Sequence, residues 1–360
     1  MIKGSEFSID LLYLVSIRNK FREFMALIID AVGSVSVLPE DLTKFINRFA
    51  ARIGFKEEQL IEAEQLLCKW KKSGISVITY FSEEYPDLLK QISDPPMLIY
   101  CKGELPADAS VSIVGSRIAT SYGIKAASQI TDFLASNRIT ITSGMAKGID
   151  SAAHSAAIKN GGKTIAVLGN GVDIIYPPEN RRLYDQIIEN GAVISEFEPG
   201  SYPSRWSFPQ RNRIISGLSI ATIVVEATKR SGALITARLA AKQGRTVMAV
   251  PGSIFSETSR GTNALIKDGA VPFTNYRTLI DELVLDVANI LHRSHEKRKR
   301  PEPDLSENEK AVYDCLGTQK TIDQITDILS LDSAAVSAIL TKLEISNLIA
   351  KQGSRFERKQ

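Results

Sequence analysis

Ile139-Thr-Ile-Thr-Ser143-Gly-Met-Ala-Lys-Gly-Ile-Asp150 is the stretch whose reading decides the fold. A short strand, Ile139–Thr142, runs into a glycine turn, and a helix follows to about Lys159. The same grammar recurs on both sides of it. Val111–Val114 leads to Gly115-Ser-Arg117, Thr164–Leu168 to Gly169-Asn-Gly171, and Ala192–Glu196 to a long loop. Ala221–Val225 leads to Glu226 and Ser231-Gly232, ahead of a helix over Ala233–Gln243, and Thr246–Val250 ends at Pro251-Gly252. The strands are apolar along their length, as strands covered on both faces must be. Strand–helix alternation predicts an α/β fold, a Rossmann-like doubly wound, mostly parallel sheet with right-handed crossovers. Ligands of such sheets bind beyond the carboxyl ends of the strands, and every glycine turn named above falls on that edge.

Outside this core the pattern changes. Ser76–Tyr80 and Met97–Cys101 are two further strand candidates, separated by turns at Tyr85-Pro86 and Asp94-Pro-Pro96. Residues 1–74 read as a small helical domain, with apolar side chains at helical spacing from Leu11 onward. It is expected to pack or to bind a partner rather than to carry chemistry. Gly4-Ser-Glu-Phe7 has the look of a cloning scar, and residues 1–7 carry no weight. Residues 75–291 form the sheet domain. His292–Asp304 has no apolar residue and two prolines, the composition of a solvated linker. Residues 305–360 read as helices over Leu305–Leu316, Thr321–Leu329 and Ser333–Ser346, then a hairpin through Gly353. That is winged-helix order. The third helix exposes Ser333, Ser337, Lys342 and Glu344, too few cations for sequence-specific DNA readout, so protein contacts or weak DNA contacts are expected there.

The chain has 360 residues, 44% apolar and 24% charged, with a net charge of +3. Any nucleic-acid site is therefore a local patch, not a global field. No apolar run is long enough to span a membrane, and the N-terminus lacks the basic-then-apolar pattern of a secretory signal. The three cysteines, Cys68, Cys101 and Cys315, are far apart and form no CxxC, which fits a reducing cytoplasm. Of the histidines, His292 and His295 lie in the charged linker, so a histidine metal site is not expected.

Arg205-Trp-Ser-Phe-Pro-Gln-Arg-Asn-Arg-Ile-Ile-Ser-Gly217 puts three arginines and two aromatics within nine residues. It reads as a loop broken by Pro209 that enters a helix near Ile214. Helix N-termini and arginine forks bind phosphate, and rings beside them stack on bases. A surface loop with packed rings and solvated arginines is the competing reading. Gly115-Ser116-Arg117, Ser143-Gly144 with Lys147, and Ser231-Gly232 repeat the phosphate-binding arrangement along the same edge. Together they describe a groove for a phosphate chain; one mononucleotide does not need so many anchors.

Other motifs fail. Gly161-Gly-Lys-Thr164 has Ala157 where a P-loop needs glycine, and it precedes a strand, which excludes a P-loop. Gly169-Asn-Gly171 meets Ile174 at the third glycine position, which weakens a dinucleotide site, and no cofactor is expected. Asp150 and His154 share a helix face without a nearby nucleophile, so helix packing and capping is expected of them.

Taken in order, Val114-Gly-Ser-Arg117, Ser143–Asp150, Leu168-Gly-Asn-Gly171 with Tyr176-Pro177 and Asn180, Phe208–Ser219, Ser231–Ala237, Val250-Pro-Gly252 and Gly261–Ala270 resemble the DNA-processing protein A (DprA/Smf) family. The resemblance covers roughly half the chain, and such an ordered set is far more specific than a lone motif. The C-terminal unit looks like that family's winged-helix domain, and the N-terminal helices fit its helical, SAM-like domain loosely. The resemblance implies a cytoplasmic single-stranded DNA binder of natural transformation that protects incoming strands, loads the RecA recombinase, forms a homodimer and is not an enzyme. Carried onto matching positions, Arg117 and Arg205 hold phosphates and Phe208 packs on a base. Lys147 and Ser143 are rim contacts, and of Arg211 and Arg213 one binds phosphate and the other braces the loop. The rival from another class is a nucleotide hydrolase of the phosphoribohydrolase kind. Its glycine cluster is missing from Glu226–Thr236, and Glu226 precedes the loop rather than following it. A pure protein-interaction scaffold, with the basic loop structural, predicts no DNA binding at any salt.

Overall fold

The computed structural model describes residues 57–80, 82–279, 281, 306–316, 320–329, 331–345, 349–352 and 355–358. Most of the expected N-terminal helical domain and the linker at 292–304 lie outside them; helix α1, Glu57–Lys72, is the described part of the first. Two compact units divide at Leu291 and His292.

The larger unit is built on a nine-stranded sheet. Strand β1 (Ile75–Thr79), helix α2 (Asp87–Lys90) and β2 (Leu98–Gly103) come first. The parallel core follows: β3 (Ser110–Val114), α3 (Ser121–Ser136), β4 (Thr140–Ser143), α4 (Ile149–Lys159), β5 (Thr164–Val167), α5 (Arg181–Glu189), β6 (Gly191–Ser195), α6 (Ser207–Gly217), β7 (Ala221–Val224), α7 (Ala233–Lys242), β8 (Thr246–Ala249), α8 (Arg260–Lys267) and β9 (Val271–Pro272). Spatial order is β1-β2-β6-β5-β4-β3-β7-β8-β9. Strands β6 through β9 in that order are parallel, while β2 runs antiparallel to both β1 and β6. The sheet is therefore mixed, with an antiparallel limb on one side.

Strands β3, β4, β5, β6 and β7 are buried at every residue, because helices cover both faces. Val111, Ile113 and Ile223 pack with Ile130 and Leu134 of α3 and Ile149 of α4. Val114, Val167 and Val224 pack with Ile214 and Ile215 of α6 and Leu234 of α7. Alternation along each strand sends neighbours to opposite layers. Strand β9 has no counterpart in the sequence reading: it is a two-residue edge strand containing Pro272, a residue that sheets accept at an edge.

The winding reverses at β3. From it the chain steps to β4, β5 and β6 on one side, and β7, β8 and β9 lie on the other. The crevice beyond the carboxyl ends of β3 and β7 is the topological switch point, where open α/β sheets bind ligands. No described helix is long and apolar enough to cross a membrane.

The smaller unit has helices α9 (Glu307–Cys315), α10 (Ile322–Leu329) and α11 (Ser333–Ile345) and the antiparallel hairpin β10 (Ile349–Gln352) with β11 (Arg355–Arg358). Val312, Leu316, Ile325, Val336, Leu340, Leu343, Ile349 and Phe356 form its core. Ser306 and Glu309 cap α9 reciprocally. Lys342, the lysine on the outer side of α11, pairs with Glu309 at 2.5 Å. That pairing removes positive charge from a helix already poor in it.

Candidate nucleic-acid interface

A cavity of about 800 Å³ opens at the switch point. Its wall is made by the turn after β3 (Gly115, Ser116, Arg117, Ile118), the start of α6 with the residue ahead of it (Arg205, Phe208, Arg211), and the loop into α7 (Thr228, Ser231, Gly232). A side chamber of about 90 Å³ adjoins it, lined by Arg117, Gly144, Lys147, Tyr176, Phe208 and Arg211. Phe208 and Arg117 border both spaces.

The local chain explains these positions. Ser116 Oγ donates to Ile118 O and accepts from Ile118 N–H, which folds the turn on itself and turns Arg117 outward. Gly148 stands at φ +79°, and a Cβ there would collide with Ser116 O. The two turns after β3 and β4 therefore touch, with Ile149 N–H donating to Ser116 O at 3.2 Å. A Cβ on Gly144 would lie 2.7 Å from Arg211 Nη2, so glycine lets that guanidinium reach the backbone.

Helix α6 begins at Ser207, earlier than expected, and Pro209 sits in its first turn. The first N–H groups of a helix have no partner, so proline's missing donor is harmless there. Arg205 and Trp206 consequently stand just ahead of the helix, and Phe208 belongs to it.

The predicted residues separate into distinct groups. Arg117 is exposed, and its guanidinium carbon lies 5.3 Å from the centroid of the Phe208 ring. Arg205 is exposed on the rim. Tyr176 tilts against Phe208 at 5.7 Å. Lys147 is on the side chamber and pairs with Glu179 at 2.6 Å. Gly115, Ser116, Ser231 and Gly232 line the main cavity, and Gly144 the side chamber.

Ser143 is not a rim contact. It is fully buried and its Oγ donates to Ile113 O at 2.6 Å, because a hydroxyl inside the sheet must find an acceptor. Arg213 lies away from the cavity. Its Nη1 and Nη2 grip both oxygens of Glu196 at 2.7 Å, and its Nε donates to Asp94 O at 2.8 Å. It is the brace of the pair. Arg211 is only 4% exposed and its Nη1 donates to Gly144 O at 2.9 Å and to Val167 O. Burial draws its pKa down to about 10, against the pull of Asp150, so it stays charged at neutral pH. Although buried, it lines the floor of the cavity.

Asp150 shares that floor. Burial pushes its carboxyl up to about 6, with Arg211 and Ala146 N–H pulling the other way. His154, one helical turn on, donates from Nδ1 to Thr164 Oγ1 at 2.7 Å, since that hydroxyl already gives its proton to Ile141 O. Burial holds the imidazole near 3 and so neutral. The two residues have separate partners.

Glu226, the carboxylate that precedes the loop compared with the hydrolases, is buried and fully engaged. It accepts from Thr120 N–H at 2.9 Å, Thr120 Oγ1 at 2.6 Å and Thr258 Oγ1 at 3.2 Å. The sequence reading named Tyr176 only within a family block and gave no site role to it or to the exposed pair Lys229 and Arg230, which sit between the cavity-lining Thr228 and Ser231. The signal was present: two cations in a loop that follows a parallel strand.

Comparison with known proteins identifies relatives of the chain and of its fold. The DNA recombination-mediator protein A family matches residues 76–284, and the DprA winged helix domain matches residues 296–353. The chain is 35% identical over 330 residues to Protein Smf of Synechocystis sp., covering 82% of this chain and 83% of that one. It is 46% identical over 200 residues to the DNA processing protein DprA of Streptococcus pneumoniae, covering 55% of this chain and 71% of the relative. The X-ray structure of the Streptococcus pneumoniae DprA superposes with a TM-score of 0.61 at 35% identity, over 78% of this chain and 99% of that one. A Helicobacter pylori DNA processing protein A structure, described for its unique single-stranded DNA binding mode, gives 0.53 at 32% identity, over 59% of this chain and 96% of that one. The chain belongs to the DNA recombination-mediator protein A (DprA/Smf) family.

Proposed function

We propose that this protein binds single-stranded DNA along the carboxyl edge of its sheet, without catalysis. The observation that carries the reading is the stacked pair of Arg117 and Phe208, standing between two cavities with cations on the rim. Arg117 and Arg205 take successive backbone phosphates. As Arg117 swings onto a phosphate it uncovers the Phe208 ring, and a base takes its place. Arg211 supplies fixed positive charge from below, and Lys147 follows once its exposed pair with Glu179 opens. The backbone N–H of Gly232, ahead of α7, is a secondary anchor, while that of Ser231 already donates to Thr228 O.

Phosphate neutralisation with stacking gives sequence-tolerant, salt-sensitive binding. Residues 75–291 carry this activity. The name of the Helicobacter pylori relative's structure supports single-stranded DNA as the ligand, and the engagement of Glu226 weighs against the hydrolase. In the wider role, the protein is a homodimer of the cytoplasm that shields strands taken up in natural transformation and loads RecA onto them.

Fluorescence anisotropy with a labelled oligo-dT over a salt series tests the reading on wild type and Arg117→Ala. Expected are tight binding that weakens with salt and a slope lower by about one unit in the variant. Absence of binding at low salt would discard the reading and bring nucleotide hydrolysis forward.

A further inference from the structure

The turn ahead of α6 presents more than Arg205. Trp206 is 85% exposed and Tyr202 is 82% exposed. Exposed aromatics of this size on a loose loop need no explanation, but this turn is not loose. Ser204 N–H donates to Ser207 Oγ at 3.1 Å, Ser207 N–H donates to Ser204 Oγ at 3.2 Å, and Ser207 Oγ donates to Ser204 O at 2.9 Å. The two serines lock the turn, and the residues between them, Arg205 and Trp206, are turned out to solvent. Upstream, Gly171 N–H donates to Ser201 O, and Gly200 N–H donates to Asp173 Oδ1, both at 2.8 Å. The fold holds a tryptophan in water at a fixed place beside the cavity.

We infer that Trp206 and Tyr202 form a second stacking platform outside the cavity, over which a single strand passes as it leaves past Arg205. This rests on the reading of the cavity as a single-strand site. Three features favour a strand over a protein as the occupant. Arg205 lies in sequence between the two rings and lines the cavity, so a cation for the backbone alternates with faces for bases. Trp206 is two residues from Phe208, so their Cα atoms are within roughly 7 Å and serve neighbouring bases. Tyr202 to Trp206 also contains no carboxylate to repel phosphate.

The chain has two tryptophans, which makes the test direct. Trp70 is buried, its ring edge-on to Tyr100 of β2 at 5.1 Å, on the far limb of the sheet. Emission changes on strand binding therefore report Trp206. Full-length wild type, Trp206→Phe and Trp206→Ala are titrated with oligo-dT of about four and about twenty nucleotides, lengths that fill one site or run well past it. Emission and anisotropy are read together. Expected are quenching of wild type by the long strand, loss of that quenching in Trp206→Phe with affinity kept, and a loss on the order of tenfold for the long strand alone in Trp206→Ala. Salt-sensitive binding of the long strand with neither quenching nor loss of affinity in Trp206→Ala would overturn the platform while leaving the cavity reading intact; a protein-docking surface predicts this result. Equal loss for both lengths would make Trp206 part of the cavity rather than a separate platform. No binding of either length at low salt would overturn both readings.

Discussion

Two regions of one helix use the same residue type in opposite ways. At the entrance of α6, Arg205 is exposed on the cavity rim, across from the exposed Arg117. Two turns further along, Arg211 and Arg213 are tied to carbonyls and to Glu196. An arginine in water is available to a ligand, whereas an arginine whose donors are engaged has become part of the scaffold. The difference teaches that a run of cations in a sequence overstates the binding surface. Here part of the run positions the rest: Arg213 fixes α6 against the loops before β2 and after β6, and that holds Phe208 in place.

The largest expected effect tests the scaffold half. Arg213→Ala leaves Glu196, itself largely buried, without its bidentate partner. Breaking one side of a buried pair costs about 3–5 kcal/mol. Urea unfolding should show that loss with an unchanged m-value, whereas Arg117→Ala should stay within about 0.5 kcal/mol of wild type. Comparable losses at both positions would erase the distinction between scaffold and ligand arginines.

On the ligand side the order reverses. Phe208→Ala should weaken oligo-dT binding by about 1–3 kcal/mol if a base stacks on the ring. Arg117→Ala should lower the salt slope by about one unit, while Arg205→Ala should do the same without disturbing the Phe208 ring. If removing Phe208 changes folding but not affinity, the ring is a packing residue and the base lies elsewhere.

Much of this was legible in the residues. Short apolar strands and glycine turns identify the sheet and its binding edge, because both follow from local rules of burial and backbone freedom. That Arg117, Arg205 and Phe208 lie together at the sheet's carboxyl edge was legible, because the turn chemistry lies beside them in the chain. Ser143 and Arg213 were not, since their partners, Ile113 and Glu196, come from other strands or loops and only the folded chain unites them. The same holds for Glu226, whose partner Thr120 is 106 residues away. Pro209 misled in a different way. Proline marks a break inside a helix but suits its first turn, and the sequence alone does not say which is meant. The winged-helix order was readable from three amphipathic segments and a hairpin, whereas the pairing of Lys342 with Glu309 was not.

A smaller effect concerns Asp150, the anion beneath the cavity. With burial lifting it to about 6, it is ionised at pH 8 and protonated below about pH 6. Protonation removes a negative charge next to the phosphate path. Strand affinity should therefore rise as pH falls from 8 toward 5, and Asp150→Asn should flatten that rise. His154 does not contribute in this range, because it stays neutral down to about pH 3. An unchanged pH profile in Asp150→Asn would mean that the charge is sealed beneath the floor and belongs with the scaffold.

The smallest effect sits where the comparison is least sharp, at Lys147. It is exposed like Arg117 yet paired like Arg213, through Glu179 at 2.6 Å. Both groups are in solvent, and an exposed pair of this kind contributes little to stability. Glu179→Gln should leave the unfolding midpoint unchanged. It frees the lysine and deletes a negative charge from the rim, so affinity for oligo-dT should increase by a few-fold at low salt. That gain should fade as the Debye length shortens toward 8 Å, roughly its value at physiological salt. If Glu179→Gln instead destabilises the protein and leaves binding unchanged, Lys147 belongs with Arg213, and the ligand surface is confined to the residues that meet no carboxylate.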